Sequence, residues 1–226
     1  MDSKRTYCIR CGECCRSGSP SLQMEDVGLV IEGVLRYGDL YTVRRGEVIR
    51  DNVRRGLAVA REELVKIKEI TGGEGPRGCI FYDPEESACR IYENRPIQCR
   101  ALACWDPSEF MRVFRRPKAD RADLIQEEDL RTLVYEHESR CSYPLVERAV
   151  KQINSRPGSG AGDLIELIRF DHWIRWRAAA EKGLPEDALD FLFGRPLART
   201  ISMFGLELVD RGDGSKLLRP MGSNSK

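Results

Sequence analysis

Residues 8–16, CIRCGECCR, set four thiols into eight positions: Cys8, Cys11, Cys14 and the adjacent Cys15. A CxxC step lets one tight turn bring two thiols to a single metal, about 2.3 Å from each sulfur. The step is taken twice in overlap, from Cys8 to Cys11 and from Cys11 to Cys14. Consecutive side chains ordinarily point apart, so Cys14 and Cys15 are expected to serve different metals, or different irons of one cluster. The stretch predicts loops organised by inorganic chemistry around a common centre.

Working outward, Cys79, Cys89, Cys99 and Cys104 follow at intervals of ten, ten and five residues, and only Cys141 lies beyond them. Nine cysteines are ~4% of the chain, below the share that marks a disulfide scaffold. The start, MDSKRTYCIRCGECC, holds no apolar run of the kind a signal peptide or membrane helix needs. A reducing cytoplasm is therefore expected, where thiols bind metals more often than they form disulfides. Thiolates on a metal leave net negative charge; Arg10, Arg16, Arg90, Arg95 and Arg100 lie near the cysteines in sequence, and each alone reads as an ordinary solvated charge, while as a set they are expected to offset it. The Cys8, Cys11, Cys14 spacing matches the first three ligands of a bacterial ferredoxin run, but Cys15 follows at once where that run continues with three residues, Cys and Pro. Zinc accepts four thiolates equally well. The adjacent pair favours an iron–sulfur centre, [4Fe–4S], with zinc as the alternative.

CIRCGECCR followed by CIFYDPEESACRIYENRPIQCR resembles the CxxCxxCC, YkgJ-like, cysteine-cluster family of zinc- or iron-chelating domains. The resemblance covers roughly residues 6–105. It implies metal-binding roles for Cys8, Cys11, Cys14, Cys15, Cys79, Cys89 and Cys99, with Cys104 an eighth candidate by its spacing from Cys99. Enzymes that methylate flagellin lysines are similar in this cysteine pattern, which implies that such a domain can host protein-modifying chemistry.

The rest of the chain predicts an α+β protein, mostly helical, with a small β-hairpin and irregular cysteine-rich loops. The hairpin joins Cys79–Tyr82 to Cys89–Tyr92 across the Asp-Pro-Glu-Glu-Ser connection. Pro96 then opens a short helix carrying Cys99. Val27, Val30, Ile31 and Val34 give a helix over 24–36, stopped by Gly38, and EELVKIKEI (62–70) reads as an edge strand or a helix. Helices follow around Leu130, Leu133, Val134 and His137, over YPLVERAVKQIN (143–154), and over DLIELIRFDHWIRWRAAAEKG with Asp163 as cap and Gly183 as stop. Two shorter helical stretches and a hairpin around Gly212-Asp213-Gly214 end the pattern. Residues 1–115 are read as a cysteine-cluster domain and 116–226 as helical support ending in a short hairpin and tail, with one continuous domain as the alternative and 155–162 the linker-like stretch.

Three further signals carry alternatives. His137 and Cys141, four residues apart on one helix face, are candidate metal ligands, or else an ordinary helix-face histidine and a buried thiol. Gly73, Gly75 and Gly78 satisfy GxGxxG formally, yet Pro76 lies inside and a β-prone run follows, so the segment reads as a loop. Phe170, Trp173, Ile174 and Arg177 recur at helical spacing and read as core, and Arg112–Arg121 as a solvated connector.

Lys plus Arg number 37 against 36 Asp plus Glu, so no global field draws the chain to nucleic acid or an acidic membrane. Metal ions are the expected partners, together with a protein redox partner or protein substrate. The leading function is a metal-holding protein in redox or metal handling. The alternatives are a lysine N-methylase-like enzyme using the cluster as cofactor, or a structural zinc module.

Overall fold

The leading cysteine turn runs into α1 (Glu13–Ser17), a helix that starts because Gly12 takes a left-handed backbone with φ 74. In the computed structural model residues 6–51, 56–70, 78–155, 160–210 and 216–221 are described. Gly73, Gly75, residues 156–159 of the 155–162 linker and the Gly212-Asp213-Gly214 turn lie outside them. A 3-10 turn (Met24–Asp26) leads into α2 (Val27–Ile31), which ends well short of residue 36. Gly33, at φ 74, turns the chain away, so it and not Gly38 is the stop.

The stretch over 62–70 is strand. β1 (Leu40–Val43) pairs antiparallel with β4 (Leu64–Ile67), Leu40 opposite Ile67, so that Val65 and Ile67 point inward. β2 (Val48–Asp51) and β3 (Gly56–Val59) form a second antiparallel pair. β5 (Glu69–Ile70) pairs with β6 (Gly78–Cys79), and β7 (Tyr82–Asp83) with β8 (Ala88–Cys89). The cysteine hairpin is thus narrower than expected. Cys89 faces Tyr82, while Cys79 is drawn off to face Glu69.

Three short helices follow: α3 (Ile97–Ala101), which carries Cys99, α4 (Ser108–Phe114) and α5 (Arg121–Leu124). The remaining part is helical through α6 (Glu128–Cys141), α7 (Tyr143–Ser155), α8 (Ala161–Lys182), α9 (Leu189–Phe193) and α10 (Leu197–Thr200). β9 (Leu206–Asp210) and β10 (Lys216–Pro220) pair antiparallel at the end. The protein is α+β, with helices predominant and only two-stranded antiparallel sheets among the described residues. Gly160, not Asp163, caps α8, and Gly183 at φ 64 stops it.

One buried apolar cluster gathers Leu22, Leu35, Leu40, Val65 and Ile67 with Leu130 and Leu133 of α6, Leu164 and Ile174 of α8, and Phe191–Phe193 of α9. Each such side chain contributes about 1.5–3 kcal/mol by leaving water. On α8 only half of the aromatic stripe joins it. Phe170 and Ile174 are buried, but Trp173 and Trp176 remain 42% and 56% exposed.

The connector reading of Arg112–Arg121 fails at its last residue. Arg121 is 3% exposed and donates to Glu63 Oε2 (2.5 Å) and Glu138 Oε1 (2.8 Å). Arg44, 1% exposed, donates to the same Glu138 (2.7 Å) and to the Cys141 carbonyl (2.5 Å). Burial raises the Glu138 pKa, but the Arg44 and Arg121 guanidiniums more than offset it and hold the carboxyl down at about 2. No helix of the described residues is long and apolar enough to cross a membrane.

Candidate metal centre

The leading thiols are set by a strained turn. Arg10 adopts φ 56 and its N–H points at Cys8 Sγ, 3.3 Å away. Arg16 reaches back from α1 to the Cys11 carbonyl at 2.8 Å. A Cβ on Gly12 would lie 2.0 Å from the Tyr82 hydroxyl, so only glycine lets this turn rest on the face of β7. Gly78, at φ 140, does the same for α1: a Cβ there would stand 2.5 Å from the Cys15 carbonyl oxygen and 2.8 Å from Arg16 Cα. The N-terminal cluster is thereby docked onto the Cys79 and Cys89 strands.

Cys99 is held from behind. Asp26 is fully buried; its Oδ1 accepts from the Ile97 N–H (2.8 Å) and its Oδ2 from the Gln23 N–H (2.9 Å). The buried Gln98 side chain accepts from the Ser21 N–H at 3.0 Å. Two buried polar groups that are not part of the cysteine-lined cavity therefore fix α3. Neither was singled out from sequence, because each finds its partner 71 or 77 residues away.

Cys8, Cys11, Cys14, Cys15, Cys89, Cys99 and Cys104 line one cavity of about 710 Å³, with Arg10, Arg95, Tyr82, Tyr92, Leu102 and Trp105 in its wall. Cys79 stands next to it, near enough for a charge there to act on Cys15 and Cys99. The sulfurs of Cys14 and Cys15 are 4.0 Å apart. They do not diverge as consecutive side chains usually do, since a short helix places both on the side facing the cavity. All nine cysteines are unbridged.

The electrostatics oppose a cluster of bare thiolates. Burial first, and then charge on Cys79, Cys89 and Cys14, push the Cys99 thiol up to about 12. Burial raises Cys79 as well. Within the adjacent pair, the hydrogen bond to Cys15 draws Cys14 down to about 6, and the same bond raises Cys15. One of the two therefore carries the charge and the other the proton. Arg95 favours the charged form of both Cys14 and Cys99, and its guanidinium stacks 3.6 Å over Tyr92, with Arg10 on the same ring at 5.2 Å. Arg90 is bound to the Ile80 carbonyl, and Arg100 acts on Asp26.

Among the described residues no three His, Cys, Asp or Glu side chains converge closely enough to hold one ion. The thiols share a cavity without meeting at a point. The donor set nevertheless fits a thiophilic metal: sulfur predominates, guanidiniums stand close by, and the mutual repulsion of the thiolates is what a cation would relieve.

His137 and Cys141 are placed elsewhere. His137 Nε2 is 2.8 Å from Asp171 Oδ1 and its ring packs 5.1 Å from Phe193, in the helical core. Burial lowers its pKa to about 4 in spite of Asp171, so the ring is neutral at pH 7. Cys141 is fully buried, with Sγ directed at the Leu167 carbonyl at 3.4 Å. Glu138, which lies between them in sequence, is taken up by its two arginines.

Residues 7–114 match the CxxCxxCC family, described as "Putative zinc- or iron-chelating domain". Neither a curated protein nor a solved structure matches the chain.

Proposed function

We propose, from the match of residues 7–114 to the CxxCxxCC family of zinc- or iron-chelating domains, that the protein holds iron or zinc through cysteine thiolates and serves in redox chemistry or metal handling. The observation that carries the reading is the shared cavity. Thiols from the leading turn, the β7–β8 hairpin and the α3 segment line one space with Arg10 and Arg95. Cys8, Cys11, Cys14, Cys15, Cys79, Cys89, Cys99 and Cys104 are the residues that would hold the metal. Bound iron, as a mononuclear or iron–sulfur centre, supplies a one-electron couple; bound zinc supplies a structural tie.

The chain's own contribution is positional. Gly12 and Gly78 allow close approach, Asp26 and Gln98 fix α3, and the arginines neutralise charge. The test is metal analysis with an optical spectrum on protein prepared without oxygen. Thiolate-bound iron or zinc at a level of about one or more per chain is expected, with visible charge-transfer absorption for iron. Fully titratable thiols and no metal would overturn the reading.

A further inference from the structure

The eight thiols around the cavity fall into two sets of equal size. Cys8, Cys11, Cys14 and Cys104 are exposed, whereas Cys15, Cys79, Cys89 and Cys99 are partly buried. Four is the number of thiolates a tetrahedral ion takes. We propose that the division is functional: on metal uptake the partly buried set closes around a retained inner ion, and the exposed set closes around a separate, exchangeable outer one. This rests on the thiolate-metal reading above and assigns its ligands.

The division follows the elements that carry the sulfurs. Cys79, Cys89 and Cys99 sit on β6, β8 and α3, each anchored by strand pairing or by the Gln98 bond, and Gly78 packs directly on the backbone of Cys15. Three of the outer four come from less regular chain, and Cys14 sits on α1 beside Cys15. Cys8 and Cys11 flank the left-handed Arg10 turn, and Cys104 follows the end of α3 in the turn closed by the Ala103–Asp106 bridge. The Arg10 N–H aimed at Cys8 Sγ suits a sulfur that carries negative charge, as a metal ligand does.

The adjacent pair joins the two sets. With one sulfur assigned to each site, the 4.0 Å between Cys14 and Cys15 makes the sites neighbours along a common edge. Two divalent ions would cancel half the charge of eight thiolates, and Arg10, Arg16 and Arg95 stand near the remainder. Water and chelators reach the outer sulfurs first. Release is therefore sequential, as a protein that passes on one ion while keeping another requires.

Titration of the reduced full-length chain with cobalt(II), followed through thiolate-to-cobalt charge-transfer absorption, reads the number of sites. About two equivalents are expected, and a chelator should then withdraw one quickly and the other slowly. The Cys8→Ser, Cys104→Ser double variant should lose the fast equivalent and about half the absorption while keeping the slow phase. Cys89→Ser should lose the slow one. If Cys89→Ser does not fold, as judged by far-UV circular dichroism, alkylation mapping during chelation of the unaltered chain gives the same answer: Cys8, Cys11, Cys14 and Cys104 react before the other four. Saturation by a single equivalent, loss of both phases in the double variant, or simultaneous alkylation of all eight would overturn the assignment. No cobalt uptake by the folded chain would instead remove the thiolate-metal reading itself.

Discussion

Gly78→Ala is the substitution on which the docking of the two cysteine segments turns. Its φ of 140 is a conformation that side chains rarely adopt, at a cost of about 1–3 kcal/mol. The added Cβ would also lie 2.5 Å from the Cys15 carbonyl oxygen and 2.8 Å from Arg16 Cα. Both are backbone atoms and cannot swing aside. Relief to ordinary contact needs a shift of about 0.8 Å between α1 and β6, and overpacking of that kind adds about 1–3 kcal/mol. A total near 4 kcal/mol lowers the melting temperature of a chain this size by about 8–16 °C. Metal ligands tolerate about 0.2 Å, so the same shift parts Cys15 from Cys79 and weakens metal binding by about 100-fold. Gly33→Ala is the control, because Gly33 has φ 74 with nothing within 4 Å of an added Cβ. It should cost only about 1–2 kcal/mol and leave the metal untouched. Thermal melts and competitive metal titrations of both variants decide the matter. Equal melting losses and unchanged metal affinity in Gly78→Ala would refute the reasoning.

Other perturbations separate the site from its support. Asp26→Ala orphans the N–H groups of Gln23 and Ile97 and should cost about 1–3 kcal/mol, with metal affinity falling as α3 loosens; an unaltered affinity would show that Asp26 does not position Cys99. Glu138→Ala leaves Arg44 and Arg121 buried without their shared carboxylate and should lose about 3–5 kcal/mol in a denaturant titration, while metal stoichiometry stays constant. A loss below about 1 kcal/mol would contradict that role. The pH dependence of metal-free protein tests His137, whose pKa burial lowers in the folded chain from the ordinary histidine value of about 6.5 to about 4. On acidification the unfolded chain takes up the proton first, so this contribution to stability is complete above pH 6.5 and declines as pH falls toward 4. The decline is about 3 kcal/mol, seen as a falling denaturant midpoint. A midpoint that stays level across that window would sink the idea.

The sequence made the cysteine region legible because metal-ligand spacing is a local property: CIRCGECCR and the later run name their thiols without knowledge of the fold. Long amphipathic helices were readable for the same reason, since α6, α7 and α8 repeat their apolar positions over three turns or more. Register was not. A two-residue strand has too little pattern to choose a partner, so Cys79 paired with Glu69 and the hairpin shrank to Tyr82–Asp83 and Ala88–Cys89. Charge misled where its partner was distant. Arg121 reads as the end of a solvated connector until Glu138, which it shares with Arg44, draws it into the interior. The steric role of Gly78 depends on α1 lying against it, a contact no local window contains.

X-ray absorption at the metal edge of protein purified without oxygen tests the central claim most directly. The account predicts a first shell of about four sulfurs at about 2.3 Å per metal. A first shell of oxygen and nitrogen, with the eight cysteines still free to react, would contradict it.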